Sequence, residues 1–167
     1  MGFSLVPDIR VDSIFEITPE MLASRGISLL LLDLDNTLAP YSKNPPSKEL
    51  FLWRERMESA GITLFIVSNT KTQRAEIFAR SFGVPYIDGA KKPSPRGIIK
   101  AIEGCGKKAS ETALAGDQIF TDVLGANISG ITSIIVKPIK FINPLIALRY
   151  YIEIPFRLMR KKELTNE

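Results

Sequence analysis

The sequence predicts an α/β fold built on a mainly parallel five-stranded sheet covered by helices, and three observations lead there. Short apolar runs alternate with amphipathic stretches, the pattern of repeated β-α units. The runs carry almost no internal polarity, as strands buried on both faces do. Polar residues gather directly after them, where open α/β sheets bind ligands.

The elements follow in order. An arm (residues 1–27) containing Pro7 and Pro19 precedes Leu29 to Leu32, the first strand. Residues 43–46 form a polar, Pro-containing turn, Ser47 is the expected N-cap, and the next helix carries Leu50, Phe51, Trp53 and Met57 towards a core before stopping at Gly61. Residues 62–67 are a second buried strand, ending in Ser68-Asn69-Thr70. A helix over 72–82 is expected to bury Ala75, Ile77, Phe78 and Phe82 and to end at Gly83. A short strand over 84–87 leads to Gly89-Ala90-Lys91-Lys92-Pro93. A helix over 94–103 then puts Ile98, Ile99 and Ile102 on its apolar side. Residues 113–115 are a strand before Gly116-Asp117, a helix ends near Gly130, and residues 132–136 are the fifth strand, all joined by right-handed crossovers. Only about thirty residues separate Thr37 from Ser68, which leaves no room for a sizeable lid. One domain over 1–167 is expected, with the arm at one end and a tail (141–167) at the other.

Composition excludes several chemistries. With 167 residues and 45% hydrophobic content the chain suits a core-forming domain, not a disordered protein. Net charge +4 favours anionic partners, whether phosphate esters, membrane surfaces or nucleic acid, without choosing among them. A single cysteine, Cys105, forbids an intrachain disulfide and fits a reducing, cytoplasmic setting. Histidine is absent, which rules out imidazole nucleophiles, Ser-His-Asp triads and His-ligated zinc. Six positions beyond Cys105 stands Glu111, where a phosphate-cradling arginine would be needed for cysteine-based phosphate chemistry. No P-loop or Gly-x-Gly-x-x-Gly run occurs, so hydrolysis would have to rest on carboxylates with a metal. The N-terminus lacks the basic-then-apolar pattern of a secretory signal, and no apolar run is long enough to span a bilayer.

Asp33 and Asp35, spaced i, i+2 after the first strand, point the same way along an extended chain and can face one metal ion and one phosphoryl group. An Asx-turn would use Asp35 and Asn36 only for local hydrogen bonds. Ser68-Asn69-Thr70 is equally a helix cap, and Lys91-Lys92-Pro93 and Gly116-Asp117 are equally turns. Their occurrence together, at successive strand ends that converge on one crevice, points to a phosphate site. Phosphoryl transfer needs a nucleophile, a proton donor and positive charge around the equatorial oxygens. Asp33 can attack phosphorus, Asp35 can protonate the leaving alcohol and later activate water, and Ser68 and Lys92 can hold the phosphoryl oxygens, with Thr37 and Asn69 beside them. Mg²⁺, which takes oxygen ligands, would be held by Asp33, Asp117 and Asp122.

Asp33-Leu-Asp-Asn-Thr, Ser68-Asn-Thr, Lys92-Pro and Gly116-Asp-Gln-Ile-Phe-Thr-Asp122 resemble the four ordered motifs of the haloacid dehalogenase (HAD) superfamily. The resemblance implies a Rossmann-like three-layer sandwich without a large cap domain, and a Mg²⁺-dependent phosphatase working through an aspartyl-phosphate. It implies Asp33 as nucleophile, Asp35 as acid/base, and Ser68 and Lys92 as phosphate ligands, with Lys91 the weaker choice for the motif lysine. Asp117 and the Asp35 carbonyl would ligate the metal, with Asp122 supporting from the edge. Residues 5–8, 13–19 and 116–122 are similar to the YqeG-type group of HAD subfamily IIIA, whose relatives include mitochondrial phosphatidylglycerophosphate phosphatases. That kinship implies phosphatidylglycerophosphate as substrate; a soluble small phosphate ester, a receiver-like phospho-acceptor switch and a membrane adaptor are the alternatives. No nucleic-acid partner is expected, and an oligomer is open.

The tail (residues 141–162) supplies a separate signal. As a helix it carries Arg149, Glu153, Arg157 and Arg160 in one narrow polar stripe, opposite a wide apolar sector of Leu145, Ile146, Leu148, Tyr151, Ile152, Phe156, Leu158 and Met159, with Arg160-Lys161-Lys162 at its end. Pro155 is expected to kink or break it. Such a helix either docks on a membrane, at the inner face or, in a eukaryote, the mitochondrial matrix side, or packs on the sheet or a second subunit.

Overall fold

The computed structural model describes residues 3–40, 45–71, 73–140 and 144–159. Six strands form in chain order, Ile9–Val11 (β1), Leu29–Leu32 (β2), Thr63–Val67 (β3), Tyr86–Ile87 (β4), Thr112–Gly116 (β5) and Thr132–Val136 (β6). They make one parallel sheet in the order β1-β6-β5-β2-β3-β4. Helices Pro19–Ala23 (α1), Lys48–Ser59 (α2), Gln73–Phe82 (α3), Arg96–Gly104 (α4), Leu124–Ser129 (α5) and Pro144–Leu158 (α6) connect and flank them.

The central strand explains its own sequence. Leu30 and Leu32 of β2 join a core with Leu50, Trp53, Met57, Phe78 and Phe82, while Leu29 and Leu31 join a second core with Ile98, Ala101, Ile102 and Ala126. Both faces are dry, so four consecutive leucines fit where an alternating pattern would not. Helix α2 starts where Ser47 Oγ accepts the Leu50 N–H at 3.1 Å, and Trp53 Nε1 donates to the Ile17 carbonyl at 2.9 Å, stitching the arm to this core. Helix α5 ends on Gly130, whose φ of 69° is the left-handed C-cap that glycine adopts without strain.

The chain runs from β2 outward through β3 and β4, then crosses to β5 and β6 on the other side. The order therefore reverses between β2 and β5, and the crevice beyond their carboxyl ends is the place where such sheets bind ligands. The ladder continues past β2 through Asp33 N–H, which donates to the Ala115 carbonyl at 2.9 Å and sets Asp33 beside the end of β5.

Three expectations need correction. The sheet has six strands, not five, because Ile9–Val11 of the arm pairs with Ile134 to Val136 at the edge. Three residues with a central exposed arginine carry too little pattern to be read as a strand. Ile77 and Ile99 face solvent, 65% and 43% exposed, since the buried stripes are Ala75-Phe78-Ala79-Phe82 and Ile98-Ala101-Ile102. Helix α6 runs through Pro155 to Leu158 without the expected break. Part of the expected 43–46 turn, and Arg160 to Lys162, lie outside the described residues.

Two members of the polar stripe of α6 point inward. Glu153 and Arg157 are buried, while Leu145, Leu148, Tyr151, Ile152, Leu158 and Met159 are exposed. This amphipathic helix sits on the domain by that charged pair together with Phe156, which packs against Ile119, Val123 and Ile135.

Candidate active site

The strand ends gather one buried acidic cluster. Asp33 follows β2 and Asp117 follows the neighbouring β5; Asp122 comes from a π-helical turn (Ile119–Val123) just beyond. Carboxylate oxygens of Asp33, Asp117 and Asp122 all lie within 4.8 Å of one another, and all three residues are buried. Lys92, from the loop after β4, reaches into them: its Nζ stands 2.8 Å from Asp33 Oδ1 and 2.8 Å from Asp122 Oδ1. Lys91 is exposed beside it. Of the two lysines, Lys92 is the one that the fold delivers to the aspartates.

The turn that holds Asp122 depends on a bare backbone. A Cβ on Gly116 would lie 2.3 Å from Asp122 Cγ, so any larger residue there would displace the carboxylate. Asp122 Oδ2 in turn accepts the Gln118 N–H at 3.1 Å.

Electrostatics mark the cluster as short of positive charge. Burial pushes the Asp33 carboxyl up to about 6; Lys92 pulls it down and Asp122 adds to the rise. Asp117 is held well above the ordinary carboxylate range, first by burial and then by Asp33 and Asp122. Burial opposes the charge on Lys92, yet Asp122 and Asp33 outweigh it and raise its pKa above that of a free lysine. Asp117 Oδ1 is buried with no hydrogen-bond partner among the described residues. An oxygen-only donor set with an orphaned carboxylate oxygen fits a hard divalent cation such as Mg²⁺.

The remaining predicted residues divide. Thr37 is buried, with Oγ1 3.4 Å from Asp33 Oδ2, and Ser68 is buried at the end of β3 with Oγ accepting the Thr70 N–H at 3.2 Å. Asn69 turns its side chain away from the crevice's charge: its amide bonds the Lys92 main chain from both ends, Nδ2 to the carbonyl at 2.9 Å and Oδ1 from the N–H at 2.6 Å. It shapes the lysine loop. The Asp35 carboxylate stands outside the acidic cluster, held by Thr70 Oγ1 and Arg74 Nη1. The metal contact expected of Asp35 is through its main-chain carbonyl and not through this carboxylate.

Sequence reading missed several supports. Arg74 also donates to the Pro40 carbonyl at 2.8 Å, tying Asp35 to its own loop; nothing in the pattern of α3 signals this. Asn36 takes a φ of 65° and exchanges side-chain bonds with the Lys140 main chain at 2.7 and 3.0 Å, clamping the Asp33–Asp35 loop to the segment after β6. Glu153 and Arg157 approach the Asp117 loop from α6; their i, i+4 stripe was visible, its direction was not.

Comparison with known proteins agrees with this geometry. Residues 3–140 match the family model of the mitochondrial PGP phosphatases. The "Probable phosphatase YqeG" of Bacillus subtilis is 37% identical over 134 residues, covering 80% of this chain and 78% of that protein. "Phosphatidylglycerophosphate phosphatase 1, chloroplastic/mitochondrial" of Arabidopsis thaliana is 27% identical over 154 residues, 81% of this chain but 42% of that protein. Among solved structures, the cobalt-bound deoxy-D-mannose-octulosonate 8-phosphate phosphatase of Haemophilus influenzae superposes with a TM-score of 0.56 at 11% identity, covering 80% of this chain and 90% of that one. A HAD superfamily (subfamily III A) hydrolase of Legionella pneumophila gives 0.55 at 16% identity over 78% and 74%. These likenesses set aside the receiver-like switch and the membrane adaptor as alternatives to an enzyme: the structures share the fold of HAD hydrolases, and the chain belongs to the mitochondrial PGP phosphatase family, a group of phosphoric monoester hydrolases.

Proposed function

We propose that the protein is a Mg²⁺-dependent phosphomonoester phosphatase that works through an aspartyl-phosphate on Asp33, and that its substrate is phosphatidylglycerophosphate. The observation that carries the chemistry is the buried Asp33-Asp117-Asp122 cluster with one lysine inside it. A carboxylate oxygen of Asp33 attacks phosphorus while Asp35 donates a proton to the departing glycerol oxygen. Asp35 then takes a proton from water, whose oxygen displaces Asp33 and releases inorganic phosphate. Lys92 and Ser68 hold the phosphoryl oxygens, with Thr37 and the main chain of Asn69 at the rim. Asp33, Asp117, the Asp35 carbonyl and, from its edge, Asp122 would hold the cation. When bound it offsets the repulsion between the aspartates and the phosphoryl group. Arg74 pairs with the Asp35 carboxylate and holds it in place.

The lipid substrate is supported by the kinship and by α6. Its outward face presents Leu145, Leu148, Tyr151 and Ile152, between 54% and 76% exposed, and the sequence continues into Arg160-Lys161-Lys162. An apolar face that leads into a basic run suits an anionic lipid surface, the setting of this anionic lipid substrate. No helix among the described residues is long and apolar enough to cross a membrane. The contact proposed for α6 is a peripheral one, on the inner face or the matrix side. A substrate panel tests this: phosphatidylglycerophosphate in mixed micelles against soluble sugar and nucleotide monophosphates, with Mg²⁺ or EDTA. The lipid should be turned over fastest, and EDTA and Asp33→Asn should each abolish turnover. Preference for a soluble ester overturns the lipid assignment, and turnover retained by Asp33→Asn overturns the mechanism.

A further inference from the structure

We infer that the buried Glu153–Arg157 pair of α6 is a positioning unit for the divalent-cation site, aiming Asp117 and the turn that carries Asp122; this rests on the reading of those aspartates as cation-holding residues. Arg157 Nη2 donates to the Asp117 carbonyl and, at 3.0 Å, to Glu153 Oε2, while Nη1 donates to the Val136 carbonyl at 3.2 Å. Glu153 Oε1 accepts the Ile119 N–H at 3.0 Å. The pair thus grips the main chain on both sides of Gln118, whose own N–H holds Asp122. The last turn of the helix is pinned at Arg157 itself, whose carbonyl accepts from Arg10 Nη1 at 2.8 Å.

Two arguments separate this from ordinary helix docking. Burying two full charges is an expensive way to attach a helix, and apolar side chains of the same volume commonly hold one as well or better. Helix α6 has such side chains and turns most of them outward. What the charged pair adds is direction: three hydrogen bonds to chosen main-chain atoms of the Asp117 loop and the adjoining strand. Direction matters here because Asp117 Oδ1 has no side-chain or main-chain partner among the described residues to set its aim, so the aim comes from the backbone that Arg157 holds. The pair lies beyond residue 140, where the family match ends.

The test is direct Mn²⁺ binding by the full chain, read from the electron paramagnetic resonance of the free ion, alongside Mg²⁺ activation of phosphatidylglycerophosphate turnover and thermal melting. Partners that orient a ligand typically account for about 10–100-fold in metal affinity, and a loss in that range is expected for Arg157→Gln. Turnover should fall at low Mg²⁺ and recover at saturating Mg²⁺, with KM for the ester unchanged. Glu153→Gln keeps an acceptor for Ile119 and should lose less; Arg157→Lys, which keeps charge but not the fork, should resemble Arg157→Gln. Asp117→Asn is the reference. If it binds Mn²⁺ like the wild type, the cation-site reading itself fails. If it loses binding while Arg157→Gln, or Arg157→Lys should the former not fold, binds Mn²⁺ normally and only melts earlier, the pair is structural and the inference is overturned.

Discussion

Replacing Lys92 by methionine in the divalent-free protein removes an ammonium group that stands 2.8 Å from both Asp33 and Asp122 while keeping much of the side-chain volume. Breaking a buried ion pair by deleting one partner costs about 3–5 kcal/mol, because the remaining charge is left in a dry site. For a chain of this size each kcal/mol moves the melting temperature by about 2–4 °C, so Lys92→Met should melt roughly 6–20 °C below the wild type at pH 7.5 in EDTA. The pH dependence follows from Asp33, whose folded pKa of about 6 lies above the ordinary aspartate value of 3.8. The folded state keeps its proton to higher pH than the unfolded chain, so the wild-type apoprotein loses stability as pH rises from about 4 to 6, by roughly 3 kcal/mol in all. Without Lys92 the Asp33 carboxyl rises further and the loss extends to higher pH. The gap between variant and wild type should therefore be wider at pH 7.5 than at pH 5, where Asp33 is protonated in both and only the contact of Lys92 with Asp122 remains. Saturating Mg²⁺ at 100 times its Kd should raise the wild-type melting point at pH 7.5 by the equivalent of about 2.7 kcal/mol. Differential scanning calorimetry reads all of these. A variant that melts within about 2 °C of wild type at pH 7.5 in EDTA would show that Lys92 does not neutralise the cluster.

Further outcomes follow from other parts of the structure. Gly116→Ala puts a methyl group against Asp122 and should weaken Mn²⁺ binding at least about tenfold; unchanged affinity would mean that the turn tolerates the shift. Trp53→Ala empties the centre of the larger core and orphans the Ile17 carbonyl, at an expected cost of about 3–5 kcal/mol in urea unfolding, and a loss under 1 kcal/mol would show that the site collapses without penalty. Leu148→Asp combined with Ile152→Asp, both on the outward face of α6, should reduce sedimentation with anionic vesicles at least about tenfold while leaving turnover of a soluble ester intact. Equal sedimentation would remove α6 from the membrane argument.

Much of the site was legible before folding because its residues are tied to strand ends. Four leucines running into Asp33-Leu34-Asp35 announce a strand dry on both faces with carboxylates at its edge; the sheet buries the strand as read, but of the pair only Asp33 enters the acidic cluster, Asp35 turning its carboxylate to Thr70 and Arg74. The residues that steady the site were harder to see. Arg74, Thr70 and Asn36 act through one or two hydrogen bonds to loops distant in sequence, and one polar residue in a helix or turn carries no periodic signal. β1 was missed for the related reason that three residues hold too little alternation.

Helix α6 draws the line between the two levels most clearly. Its spacing alone separates an acidic-basic stripe from an apolar sector, since residues three and four apart share a face whatever surrounds them. Which sector turns inward depends on what the neighbouring surface offers, and that surface exists only after β5, β6 and the Asp117 loop have come together. Two main-chain carbonyls and an N–H there can be satisfied by Arg157 and Glu153, and not by leucine. The chemistry of the aspartates was therefore written along the chain, while the aim of Asp117 and the outward face of the last helix came from packing.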